Sequence, residues 1–369
     1  ANPNPNPAGV KGTQKCYGCH SLSSDGTKLF TAALNNGEGM MLFDLENGKV
    51  IRNETSDDAN VAAFASFNPE GSKFVAVRAH HEQDNRVNGL IERKKDGLLL
   101  YDVACLGTNA PIAECMTKID LGGTAAPTDP QWSPDGSKVV FVDPMASSSA
   151  TESVNTGRTG IVAIPLNAGI SYVERTNDGW TGKKTLLEGP SAPAEFNNFA
   201  PSVSPDSQWV VYSHIKCGGV TSCEGQSAPG ARLYLKRFSD GDAIRLDRAN
   251  ERGPLDPEGD PDVINLANTF AKFAPFHSSL RNSDPEKKVV WITFSSVRRY
   301  GLRQQKMPGN GRQDRAALLW MTPINLNEAA DGKDASYPAF VLPFQDITKS
   351  NHIGAWTKKK VGEPPPFVF

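Results

Sequence analysis

The stretch "DPQWSPDGSKVVFVDP", Asp129 to Pro144, decides the fold. A short strand ending in Trp132 meets Ser-Pro-Asp-Gly-Ser, and an apolar strand follows at once. Proline presets the first central dihedral of such a turn, and Asp with Gly supports the tight return. Three further segments align with it without gaps: "CHSLSSDGTKLFTAAL" from Cys19, "FASFNPEGSKFVAVRA" from Phe64 and "APSVSPDSQWVVYSHI" from Ala200. Ser24 replaces the proline in the first copy, and Ser207 replaces the glycine in the fourth. Leu22, Phe67, Trp132 and Val203 take the same place before the turn. "FAPFHSSLRNSDPEKKVVWITF", from Phe273, reads as a degraded fifth copy whose Phe-Ala-Pro repeats Phe199-Ala200-Pro201.

Third strands are expected between the copies at "GMMLFDL", "DGLLLYDV", "TGIVAIPL", "ARLYLKRF" and "ALLWMTPI". Fourth strands are expected at "KVIRNET", "MTKIDL", "KKTLLEG", "DAIRLD" and "YPAFVLPF". Four short antiparallel strands recurring about every 45 to 80 residues describe an all-β chain built as a β-propeller. Five blades are clear. "GPLDPEGDPDV", within 246–271, imitates the turn and leaves room for a sixth. Long inserts between second and third strands, such as "HHEQDNRVNGLIERKKDG" and "VRRYGLRQQKMPGNGRQDRAA", map to one face. The pattern resembles the TolB-like, WD40-like PD40 propeller family, with Ser133–Lys138 as the best match. That resemblance covers the chain from Cys19 to about Phe344; it implies architecture and hardly any function.

Residues 1–15, beginning Ala-Asn-Pro-Asn-Pro-Asn-Pro, read as an extended tail left after processing. Residues 16–369 then form a single propeller domain, with 345–369 as a closing segment. The chain's 39 basic and 41 acidic residues leave a net charge of -2, which gives no reason to expect nucleic acid or an acidic membrane surface as partner. No apolar run approaches the roughly 18 residues a spanning helix needs.

Cys16-Tyr-Gly-Cys19-His20 has the spacing for covalent haem attachment. Two thiols add to the haem vinyl groups, and the adjacent imidazole coordinates iron. A Cys16–Cys19 disulfide or a metal site are the plainer alternatives, although zinc would want a second ligand pair and no second CxxC exists. The other cysteines bracket short loops, "CLGTNAPIAEC" and "CGGVTSC", as disulfides Cys105–Cys115 and Cys217–Cys223 would. Disulfides and haem attachment both point to an exported, periplasmic or extracellular protein.

Strands follow the haem motif directly, so the helical fold of a small cytochrome c has no room and the propeller itself must hold the one haem c. His20 stands where Ala65, Pro130 and Pro201 stand in later copies. Propellers bring their last segment beside the first blade, so His352 in "QDITKSNHIGAWTKKK" is the favoured distal ligand. Met40 and Met41 share the motif's blade, though "GMMLFDL" reads more simply as a core strand. His277 follows the fifth inner strand and is a further candidate; His80 and His81 open a polar insert; an open iron is the remaining choice. Asp256–Val263 could hold Ca²⁺ through its carboxylates but reads first as a solvated acidic loop. Neither a nucleotide-binding Gly motif in its strand–helix setting nor GxSxG is present.

Three functions stay open on these residues. The first is an electron carrier exchanging electrons with redox proteins, other cytochromes among them, within a larger assembly. The second is a haem enzyme with an open, peroxidase-like iron. The third is an interaction module with structural or sensory haem.

Overall fold

The Ser-Pro-Asp-Gly-Ser turn folds through its own side chains. Asp135 Oδ1 accepts from Ser133 Oγ at 2.6 Å and from the Ser137 amide at 2.9 Å, while Ser133 Oγ accepts the Lys138 amide at 2.8 Å. Gly136 supplies the left-handed residue at φ 74°. Burial would raise the Asp135 pKa, but these hydrogen bonds win and hold it below the usual carboxylate value. The first copy repeats the set with Ser23, Asp25, Thr27 and Gly26; Asn68 replaces the serine in the second. In the fourth, Ser207 takes φ 58° in place of glycine. These turns fix the hairpin register, and the second strands bury both faces between neighbouring blades.

The chain, in a computed structural model, is described for residues 17–33, 39–55, 62–81, 91–93, 97–122, 127–144, 168–191, 196–216, 230–251, 267–279, 288–298, 317–346, 351 and 353–358. Five antiparallel blades follow one another. Blade 1 is β1 (Tyr17–Leu22), β2 (Lys28–Ala33), β3 (Gly39–Asp44) and β4 (Lys49–Thr55). Blade 2 is β5 (Ala62–Phe67), β6 (Lys73–His81), β8 (Leu98–Asp102) and β9 (Met116–Ile119), with β7 (Ile91–Arg93) paired to β6. Blade 3 is β10 (Thr128–Trp132), β11 (Lys138–Pro144), β12 (Ala168–Thr176) and β14 (Lys184–Leu187), with β13 (Gly179–Trp180) paired to β12. Blade 4 is β15 (Phe196–Val203), β16 (Trp209–Lys216), β17 (Arg232–Arg237) and β18 (Ile244–Arg245). Blade 5 is β19 (Thr269–Ser279), β20 (Lys288–Ser296), β21 (Leu318–Asn325) and β22 (Phe340–Val341).

The blade count is therefore five, and no sixth sheet occurs among the described residues. Leu246–Glu251 caps blade 4, and β19 already begins at Thr269. The acidic stretch 256–263 and "TGIVAIPL" (159–166) lie outside the described residues; the third strand of blade 3 is Ala168–Thr176.

One register differs from the sequence alignment. Each inner strand is bulged, between Gly18/Ser21, Ala63/Ser66, Thr128/Gln131, Phe199/Ser202 and Thr269/Lys272. Phe64, Asp129, Ala200 and Phe270 occupy these bulges at φ 47–53°. The fifth copy of the motif is thus Thr269-Phe270-Ala271-Lys272-Phe273, not the Phe273-Ala274-Pro275 string. The later string repeats the letters, but it starts on the last residue of the true copy and runs into a second bulge of β19, between Phe273 and His277.

Apolar side chains seal successive blades. Phe30, Ala32, Met40 and Leu42 of blade 1 meet Phe67, Phe74, Leu99 and Tyr101 of blade 2. Similar clusters join blades 2 to 3, 3 to 4 and 4 to 5. The disulfide Cys105–Cys115 (Cα–Cα 5.3 Å) closes the excursion between β8 and β9. A loop of this length contributes about 3 kcal/mol by the chain-entropy relation. The excursion begins with α1 (Val103–Leu106), capped by Asp102, which accepts the Cys105 amide at 3.0 Å.

The ring closes differently. Asn351 and residues 353–358 run along the seam between blades 5 and 1. The Asn351 amide donates to Ala317 O (2.7 Å), the Ile353 amide to Ser295 Oγ (3.2 Å) and Trp356 Nε1 to Thr293 Oγ1 (2.9 Å). At the far end Thr357 Oγ1 and the Lys358 amide both donate to Ser24 O, at 3.2 and 2.7 Å. The expected return of the C-terminal segment to blade 1 is observed, down to the first motif's own turn.

Candidate functional site

The inner strands line the axis and share one direction. Their first residues lie at the end where the long inserts leave, and their last residues lie at the turn face. His20 sits on β1 at the place held by Ala65, Pro130, Pro201 and Ala271 in blades 2 to 5. Those four residues are buried; His20 is exposed. Blade 1 therefore opens at one point where its sisters are closed, and puts an imidazole there. Cys19 occupies the bulge and Tyr17 begins the strand; Cys16 lies outside the described residues.

His352 is also outside them, but its neighbours are not. Ser295, which holds the Ile353 amide, pairs with Thr269, the counterpart of Gly18 in blade 1. Ile353 packs against the buried cluster that contains Phe199, Ala200 and Phe270, at the insert end of the axis. The chain on both sides of His352 thus stands at the level where β1 carries its motif.

The other candidates fall elsewhere. Met40 and Met41 are buried at 0% and 2% exposure, Met40 in the seal between blades 1 and 2. His277 pairs with Val290 beyond the level of Leu22, so it stands exposed on the turn face, away from the motif's start. His80 and His81 end β6; Cys217 and Cys223 lie outside the described residues. Among the described residues no group of three or more His, Cys, Asp or Glu could hold a metal ion, and no helix is long and apolar enough to cross a membrane.

His214 is a histidine of a different kind. Its Nδ1 donates to Asn198 Oδ1 at 2.8 Å, and Phe196 and Tyr234 enclose the ring at 5.3 and 5.2 Å. Burial, with Lys216 adding repulsion, pulls its pKa down to about 4 from an ordinary 6.5. The folded state holds it neutral while the unfolded chain charges it. Stability is then complete above pH 6.5 and falls as pH drops toward 4, by up to about 3 kcal/mol. Urea unfolding at pH 7.5 and 4.5 should show that loss, and His214→Gln should remove most of the difference; an equal difference in the variant would contradict this origin.

Sequence reasoning missed Lys272. Starting the fifth copy at Phe273 left Lys272 outside every expected strand, whereas the bulge register places it on the inner ring, one residue after the counterpart of His20.

No family model matches the chain, and no curated protein matches it. Solved structures similar to it include putative TolB from Agrobacterium tumefaciens, at 15% identity and TM-score 0.38, covering 61% of this chain and 63% of that one. TolB from Acinetobacter baumannii gives 13% and 0.42, covering 75% and 51%. Hydrazine synthase from Kuenenia stuttgartiensis gives 13% and 0.38, covering 90% and 67%. The chain spans less than two thirds of the length of either TolB structure.

Proposed function

We propose that this chain is an exported monohaem c-type cytochrome whose scaffold is the propeller itself, and that it exchanges electrons with protein partners. The observation that carries the reading is the exposed His20 at an inner-strand position that the four other blades bury. An imidazole presented next to the axis, directly after two thiols in CxxC spacing, fits a covalently held haem by the chemistry of its donor set. Cys16 and Cys19 would hold the haem through thioethers, and His20 would ligate its iron. The seam supports His352 as the second axial ligand, because Asn351 and Ile353 are tied to blade 5 at the level of the motif's strand.

Haem, when bound, supplies a one-electron couple. The chain's own contribution is to fix the macrocycle's edge to a strand that a turn and a C-terminal strap both hold still. Two histidine ligands leave no open position for a small substrate, which favours electron exchange over peroxidase chemistry and lowers the potential relative to His/Met ligation. Carbon monoxide added to the reduced protein tests this. Slow or absent binding is expected, and His352→Ala should bind it readily and turn a low-spin spectrum high-spin. Rapid binding by the unsubstituted protein would overturn the six-coordinate carrier in favour of an open-iron enzyme.

A further inference from the structure

Near the axis, polar side chains line the wall that blade 5 turns toward blade 1. Thr269 pairs with Ser295 and Lys272 with Thr293, so these four side chains project from one face of the blade. Ser295 and Thr293 are engaged by the C-terminal segment. Thr269 is fully buried, and its hydroxyl has no hydrogen-bond partner among the described residues. Lys272 replaces a serine that elsewhere locks the ring: Ser66 Oγ accepts the Trp132 amide at 2.9 Å, and Ser202 Oγ accepts the Phe273 amide at 3.2 Å. An ammonium has only protons to donate and cannot accept the amide of the next inner strand. At the seam between blades 5 and 1, Lys272 therefore cannot make the inter-blade link that Ser66 and Ser202 make at theirs.

We propose that Lys272 and Thr269 form a carboxylate-binding site on the blade 5 wall of the closing seam. A carboxylate accepts from both an ammonium and a hydroxyl, and it adds negative charge where burial disfavours the ammonium. Asp129, in the bulge of β10, is the acidic group whose field reaches Lys272. Burial outweighs it and draws the lysine down to about 8, a deficit that a bound carboxylate would reverse. The carboxylate has two sources: a propionate of haem attached at Cys16 and Cys19, which rests on the function proposed above, or a free small dicarboxylate, which does not.

Competitive acetylation of the full chain, read by mass spectrometry at Lys272 with exposed Lys118 as reference, separates these. Malonate is the probe, with chloride matched for ionic strength. In chain made without haem attachment, malonate should protect Lys272 about tenfold, as expected for a charge-assisted hydrogen bond, and Thr269→Val should reduce the protection. If a propionate is the occupant, Lys272 in haem-loaded chain is protected before malonate is added. If a free carboxylate is the occupant, protection appears only with malonate in either form. Equal labelling of Lys272 with and without malonate, and with and without haem, overturns the site. A chain that takes up no haem would defeat the cytochrome reading and still leave the malonate result to decide this one.

Discussion

Cys16→Ser with Cys19→Ser is expected to yield a folded chain with no covalent haem. The thioethers are the only bonds that would tie the macrocycle to the protein through denaturation, so the loss should be complete rather than graded. Serine is close to cysteine in size, so the fold should be retained. Circular dichroism and urea unfolding of the variant should match those of haem-free protein. His20→Ala should behave differently, retaining the covalent link while changing the iron spectrum. A double-serine variant that keeps haem through denaturing extraction would mean that attachment lies elsewhere.

Phe74→Ala is the substitution expected to cost most in stability, about 3 to 5 kcal/mol from lost burial and the cavity left behind. Phe74 has no exposed surface and sits among four aromatic rings counting its own. It stacks on Tyr101 at 4.8 Å and meets Phe30 at 5.3 Å and Phe67 at 5.6 Å. Phe30 belongs to blade 1 and the others to blade 2, so this contact holds the motif-bearing blade to its neighbour. Phe74→Leu should cost less, because it keeps most of the volume. Phe344 makes the control: it is fully exposed, and Phe344→Ser should change stability by no more than about 0.5 kcal/mol. Comparable midpoints in urea for the Phe74→Ala and Phe344→Ser variants would refute the packing argument.

The turns made the architecture readable. Ser133, Asp135 and Gly136 act within six residues, and chemistry so local shows in a linear string. The same holds for "KVIRNET", which is β4, and for the disulfide excursion at Cys105–Cys115. The bulges were not readable, because a bulge is defined by the partner strand. Phe270 adopts φ 53° because Ser295 and Thr293 oppose Thr269 and Lys272 with one residue fewer between them. The repeated letters Phe-Ala-Pro therefore misplaced the fifth copy by four residues and hid Lys272. The exposure of His20 was likewise beyond the sequence. Its alignment with Ala65, Pro130 and Pro201 showed a substitution, and only the packed blades show that the position is closed in four blades and open in one. The strap's return was legible as topology, while its grip on Ser24 and Thr293 depends on contacts across some 60 to 330 residues of chain.

The central claim is that blade 1 carries haem c. A pyridine haemochrome spectrum of the full chain, produced in a host competent for cytochrome c maturation and extracted under denaturing conditions, tests it most directly. A c-type α-band at one haem per chain, retained by the protein through extraction, is expected. Protein that is folded and exported but shows no such band would contradict it.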